Sequence, residues 1–156
     1  MSFRAKEEFI FIIQALEKAN INYALCGGLA VILHGHARAT RDIDLLVREE
    51  ELENVLEVLK PGGYDSYSGF IPFKIGKPDH MKLFRVSKIY GRKTFTLDLL
   101  IVTPFLEDVW ENRERFILFE HSVWVVSKEG LAKMKRAAGR SQDLTDIKEL
   151  GLENAK

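Results

Sequence analysis

Residues 26–47 read CGGLAVILHGHARATRDIDLLV, and within them two carboxylates, Asp42 and Asp44, stand at the mouth of an otherwise apolar strand. Residues two apart on a strand point to the same side of the sheet. Both side chains therefore lean toward one ligand, and a divalent cation is the ligand that paired carboxylates suit best. Upstream, Tyr23 to Cys26 forms a short buried strand, Gly27-Gly28 its turn, and Leu29, Val31, Ile32 and Leu33 a helix that stops around Gly35. A strand, a glycine turn and a helix make a place where a phosphate chain can sit on free backbone N–H groups.

Working outward, Phe9, Ile12, Ile13 and Leu16 recur at three- and four-residue spacing and predict an amphipathic first helix ending near Asn20. Arg38 to Arg41 is a polar loop, Ile43 to Val47 a strand, and Glu49 to Leu59 a helix that Pro61-Gly62-Gly63 ends. From Tyr64 to Pro78 the periodicity fades, and the expectation is an irregular loop or loose hairpin with substrate contacts. Met81 to Tyr90 and Lys93 to Val102 are two strands joined by Gly91-Arg92, a hairpin signal. A short helix to about Arg115 follows Thr103-Pro104, then one or two edge strands from Phe116 to Val126. Helices over 127–138 and 141–150 complete the chain, with Ser127, Gly130 nearby, and Asp143 as helix-entry residues. The sum is an α/β (α+β) fold: a small mixed, partly antiparallel sheet flanked by helices, in a single domain over 1–156.

A chain of 156 residues buries a real core but has no room for a separate substrate domain. Lys plus Arg equals Asp plus Glu at 23 each, so no global field draws it to nucleic acid, and any polynucleotide must be held locally. Cys26 is the only cysteine and reads as a small buried filler. With no apolar stretch long enough for a membrane span and no signal-peptide pattern, the expectation is a soluble, reduced, cytoplasmic protein.

A third acid, Asp98, lies in the middle of Thr96-Leu-Asp-Leu-Leu-Ile-Val102. So apolar a strand tolerates an aspartate only when it is paired or bound to a metal. If this strand lies beside that of Asp42 and Asp44, three carboxylates converge and repel unless a cation occupies them. Phosphoryl-type transfer uses that arrangement, because metal ions neutralise a triphosphate and activate an attacking hydroxyl. Asp42, Asp44 and Asp98 are thus the candidate magnesium ligands and catalytic acids, with Asp98 also a candidate base. The plainer alternatives are an edge strand blunted by charge for Asp42 and Asp44, and a buried salt bridge to Arg85 or Lys82 for Asp98. Arg38 and Arg41 hold phosphate or merely balance charge, and Thr40 caps the loop or touches the nucleotide. His34 and His36 lack a zinc-like partner set and read as packing or loop residues.

Taken together, Gly27-Gly28, the helix behind it, Arg-x-Thr-x-Asp-Ile-Asp over 38–44 and the distant Leu-Asp-Leu strand resemble the nucleotidyltransferase superfamily related to polymerase beta. The chain is most similar to its minimal members, the abortive-infection, toxin-antitoxin type enzymes, and more loosely to lincosamide and aminoglycoside adenylyltransferases and tRNA CCA-adding enzymes. Many members carry Gly-Ser where this chain has Gly27-Gly28, so one hydroxyl contact to phosphate is absent here.

The resemblance implies a triphosphate on Gly27 and Gly28 and metal on the acids. The run from Lys135 through Arg140 to Asp143 and Asp146 resembles the closing segment of the abortive-infection class. Lys135 and Arg140 would bind phosphate there, with helices over 127–150 closing the nucleotide cleft. The implied activity is magnesium-dependent transfer of a nucleoside monophosphate from a nucleoside triphosphate to a hydroxyl of an RNA 3′ end, a partner protein or a small alcohol. A dimer mate or another protein would complete the acceptor site. The alternative is a catalytically silent nucleotide-binding or partner-binding module of a toxin-antitoxin type system.

Overall fold

The structure, a computed structural model, describes residues 3–36, 40, 42–73, 76–139, 145, 147–148 and 150–151. Its elements run α1 (Phe3–Lys18), β1 (Ala24–Cys26), α2 (Gly27–Leu33), β2 (Ile43–Val47), α3 (Leu52–Leu59), β3 (Tyr64–Phe73), β4 (Met81–Tyr90) and β5 (Lys93–Ile101). They continue with α4 (Glu107–Glu111), β6 (Glu114–Leu118), β7 (His121–Val125) and α5 (Lys128–Ala138). Among the described residues the strands form one 7-stranded sheet in the order β3-β4-β5-β2-β1-β7-β6. β2 runs parallel to β5 and β1 parallel to β7, while the other neighbours are antiparallel. The expected mixed sheet with flanking helices is what forms.

Apolar alternation sets the core. Leu45 and Val47 on β2 and Leu97, Leu99 and Ile101 on β5 are fully or almost fully buried, as period-two geometry requires of one sheet face. The intervening positions on the opposite face carry Asp44 and Asp98. α1 contributes Phe9, Ile12, Ile13 and Leu16, all buried, and packs with α3, while α2 and α4 pack with α5. Ser127 caps α5 by accepting a hydrogen bond from the Gly130 N–H at 3.1 Å, the entry residue read from the sequence. Beyond α5, Ile147 and Leu150 are buried. Most of the helix expected over 141–150 lies outside the described residues.

Two stretches differ from the sequence reading. Residues 64–73 are one strand paired antiparallel with β4, rather than an irregular loop or a loose hairpin within 64–78, with register shifts between Tyr64 and Ser66 and between Tyr67 and Phe70. Gly69, at φ 77°, and Pro72 hide the alternation, and both are tolerated because β3 is an edge strand with an irregular ladder. Second, β7 is not an edge strand: it lies between β1 and β6. Its hairpin with β6 turns on Phe119 and Glu120, at φ 51° and 67°. Both residues have the positive φ that a tight hairpin favours, without the glycine or asparagine that normally advertises it. Phe119 is held by an edge-on contact with Phe9, ring centroids 6.0 Å apart.

A buried polar network ties α1 to the outer strands. Glu8 accepts hydrogen bonds from the Tyr64 hydroxyl at 2.8 Å and the Lys88 ammonium at 2.9 Å. Burial first, then the hydrogen bond to Glu8 and its charge, push the Tyr64 phenol well above its ordinary 10.0. A pKa raised on folding gives stability that is complete below the unfolded value and lost as pH climbs through the folded one. Tyr64→Phe is therefore expected to lower stability in urea unfolding at neutral pH by about 1–3 kcal/mol, and to flatten the loss of stability above pH 10.0 that the raised phenol predicts for the wild type. A neutral substitution would show that the Glu8 network does not anchor α1.

Candidate active site

Four adjacent strands place one residue each in a row. Cys26 on β1 is opposite Asp44 on β2, Asp44 is in register with Asp98 on β5, and Asp98 is opposite Arg85 on β4. Residues directly opposite one another share a sheet face, with neighbouring strands about 4.8 Å apart. Asp42, exposed and directly ahead of β2, acts with Asp44 and Asp98 on the charge of Arg85. The strand adjacency that the sequence reading required is therefore present.

The glycine turn touches this row. Gly27 opens α2 at φ 66°, and a Cβ built on it would lie 2.1 Å from Asp44 Oδ2. Only glycine admits the carboxylate so close to the turn. Cys26 is buried and free of any disulfide. Burial first, then the Asp44 charge, push its thiol well above the ordinary range, with Lys135 opposing and Asp98 adding to the rise. The thiol is thus a protonated filler, as its burial implies. Lys135 is itself only 6% exposed on α5, the helix that packs with α2.

Asp98, itself 6% exposed, is gripped by Arg85. Arg85 Nε donates to Oδ1 at 2.7 Å and Nη2 to Oδ2 at 3.0 Å, a bidentate geometry that favours arginine over lysine. Lys82, the other partner considered, pairs with Glu49 at 2.7 Å instead. The guanidinium is held above its ordinary range by the hydrogen bonds and charge of Asp98, and also by Asp42 and Asp44. Among the described residues, no three carboxylate, imidazole or thiol groups are gathered into a metal-holding set as they stand. The backbone brings the acids to one face; the side chain of Asp98 is turned to arginine.

Gly28 is buried within α2, and the Thr40 hydroxyl donates to the Asp42 carbonyl at 3.4 Å. His34 bonds the Val126 carbonyl through Nε2 at 2.9 Å and meets the Phe116 ring edge-on, a packing role. Arg38, Arg41 and Arg140 lie outside the described residues, as do Asp143 and Asp146. Arg85 entered the sequence reading only as a salt-bridge partner. Its place is countable, however: outward from the Gly91-Arg92 turn each β4 residue meets its mirror in β5, which sets Arg85 opposite Asp98.

A family model described as nucleotidyltransferase of unknown function (DUF6036) matches residues 6–155. The fold is similar to the lincosamide antibiotic adenylyltransferase LnuA, solved with lincomycin bound, at TM-score 0.62 and 17% identity over 95% of this chain and 97% of that one. It is also similar to a Thermotoga maritima protein assigned as a nucleotidyltransferase, at TM-score 0.63 and 13% identity over 99% and 97% of the two chains. The antibiotic-resistance factor ANT(2'')-Ia aligns at TM-score 0.54 and 14% identity over 91% and 86%. Among curated proteins the sequence finds no match.

The contact between Gly27 and Asp44 yields a direct test. Gly27→Ala combines a left-handed backbone with a clash against the carboxylate and is expected to cost about 1–3 kcal/mol in urea unfolding. Wild-type stability in that variant would contradict the close approach.

Proposed function

The chain belongs to the DUF6036 nucleotidyltransferases, and from that premise we propose that it moves a nucleoside monophosphate from a nucleoside triphosphate to a hydroxyl acceptor. The acceptor oxygen bonds to the α-phosphorus, the α–β phosphoanhydride bond breaks, and pyrophosphate leaves. The observation that carries this reading is the β2–β5 register, which sets Asp44 beside Asp98 while Gly27 abuts Asp44.

Magnesium fits this donor set, because hard carboxylate oxygens are the ligands it selects and the charges of all three acids already act on one cationic group, Arg85. Asp42, Asp44 and Asp98 would hold it. Bound there, it would neutralise phosphate charge and lower the pKa of the attacking hydroxyl. The protein's own part is binding and orientation. Gly27 and Gly28 let the triphosphate approach the backbone closely. Lys135, buried on α5, offers its ammonium to the phosphates, and Arg38, Arg41 and Arg140 add charge from the loop and the closing segment. Asp98 receives the acceptor's proton.

The segment from Ser127 onward closes the cleft, a role supported by the burial of Ile147 and Leu150. For the acceptor, the relatives offer a chemistry: ANT(2'')-Ia has been solved with adenylyl-2''-tobramycin, an adenylylated alcohol. An RNA 3′ hydroxyl or a protein side-chain hydroxyl satisfies the same reaction, with a dimer mate or another protein completing that side.

The test is to incubate the protein with magnesium and each labelled nucleoside triphosphate in turn, with RNA, lysate protein and hydroxylated small molecules as acceptors. Label is expected in one acceptor class, and Asp44→Asn is expected to lower transfer by on the order of a thousandfold with the fold intact by circular dichroism. Transfer unchanged in Asp44→Asn would remove the reading. Magnesium-dependent nucleotide binding with no product would favour a silent binding module.

A further inference from the structure

Asp98 and Arg85 form an unequal pair. The Asp98 side chain is 8% exposed, whereas the Arg85 side chain is 44% exposed. The carboxylate is fixed in the sheet; the guanidinium sits on a long stem with water on one side. Both oxygens of Asp98 are engaged by Arg85, so a cation approaching from Asp44 meets a carboxylate already neutralised. Arg85 is also the cation on which Asp42 and Asp44 act. It therefore does for the three acids what an added cation would do, relieving their mutual repulsion.

We propose that Arg85 is the resident counter-ion of the site: it holds Asp98 through both oxygens and competes with a divalent cation for that carboxylate. The inference rests on the reading that Asp42, Asp44 and Asp98 hold metal, and it deepens that reading by naming the residue that sets metal affinity. Arg85 is a positioning residue here, acting through Asp98. Competition has a consequence that a purely structural salt bridge lacks: removing the guanidinium strengthens cation binding even as it weakens the fold.

The experiment is a Mn2+ titration of nucleotide-free protein, followed by electron paramagnetic resonance, with thermal unfolding measured with and without Mn2+. Arg85→Gln is expected to bind Mn2+ on the order of tenfold tighter than wild type, to melt lower without the ion, and to gain more from it. Arg85→Lys, which keeps the charge but loses the two-pronged grip, is expected to fall between them and serves as the readable variant if Arg85→Gln fails to fold. Asp98→Asn added to either should cancel the gain. Unchanged or weaker Mn2+ binding in both Arg85 variants, with binding still lost in Asp44→Asn, would overturn the counter-ion role and leave the metal reading standing. No Mn2+ binding by any form would overturn the metal reading, and the inference with it.

Discussion

The parallel pairing of β2 with β5 is the constraint on which the site depends. It sets Asp44 directly beside Asp98, two like charges on neighbouring strands of a sheet whose other face is packed with leucine, valine and isoleucine. An ionised carboxylate removed from water costs several kcal/mol unless it is partnered. The fold meets that demand at Asp98 with the two-pronged bond from Arg85.

The neighbouring residues follow from that one pairing. Cys26 fills the next position in the row with a small neutral group. Gly27 must lack a side chain because the Asp44 carboxylate occupies the space. α2 therefore starts where it does, with Gly28 buried inside it, and α5, which carries the buried Lys135, packs against α2. A packed apolar face backed by a row that carries Asp44, Asp98 and Arg85 belongs here to a chain of a nucleotidyltransferase family.

Much of this was legible from residue order alone. Asp42 and Asp44 at period two, the glycine turn and the Gly91-Arg92 hairpin all use local geometry, which short stretches of sequence encode well. Elements shaped by distant contacts were harder to read. β3 conceals its alternation behind Gly69 and Pro72, and only its edge position beside β4 explains why both fit. The turn at Phe119 and Glu120 carries no glycine, so its hairpin depends on packing such as the ring contact with Phe9. At the site, the acids were visible as residue types, but whether Asp98 faced a metal or an arginine depends on register. That register was available by counting from the hairpin turn, and it sets Arg85 opposite Asp98.

Diffraction from crystals soaked with Mn2+ and a non-hydrolysable nucleoside triphosphate, collected for anomalous scattering, addresses the paired-acid site most directly. If the β2–β5 register builds a nucleotidyl-transfer centre, an anomalous peak will be bonded to the carboxylates of Asp44 and Asp98, with at least one Asp98 oxygen released by Arg85. A triphosphate bound elsewhere, with no peak on this row and Asp98 still bonded to Arg85 through both oxygens, would contradict it.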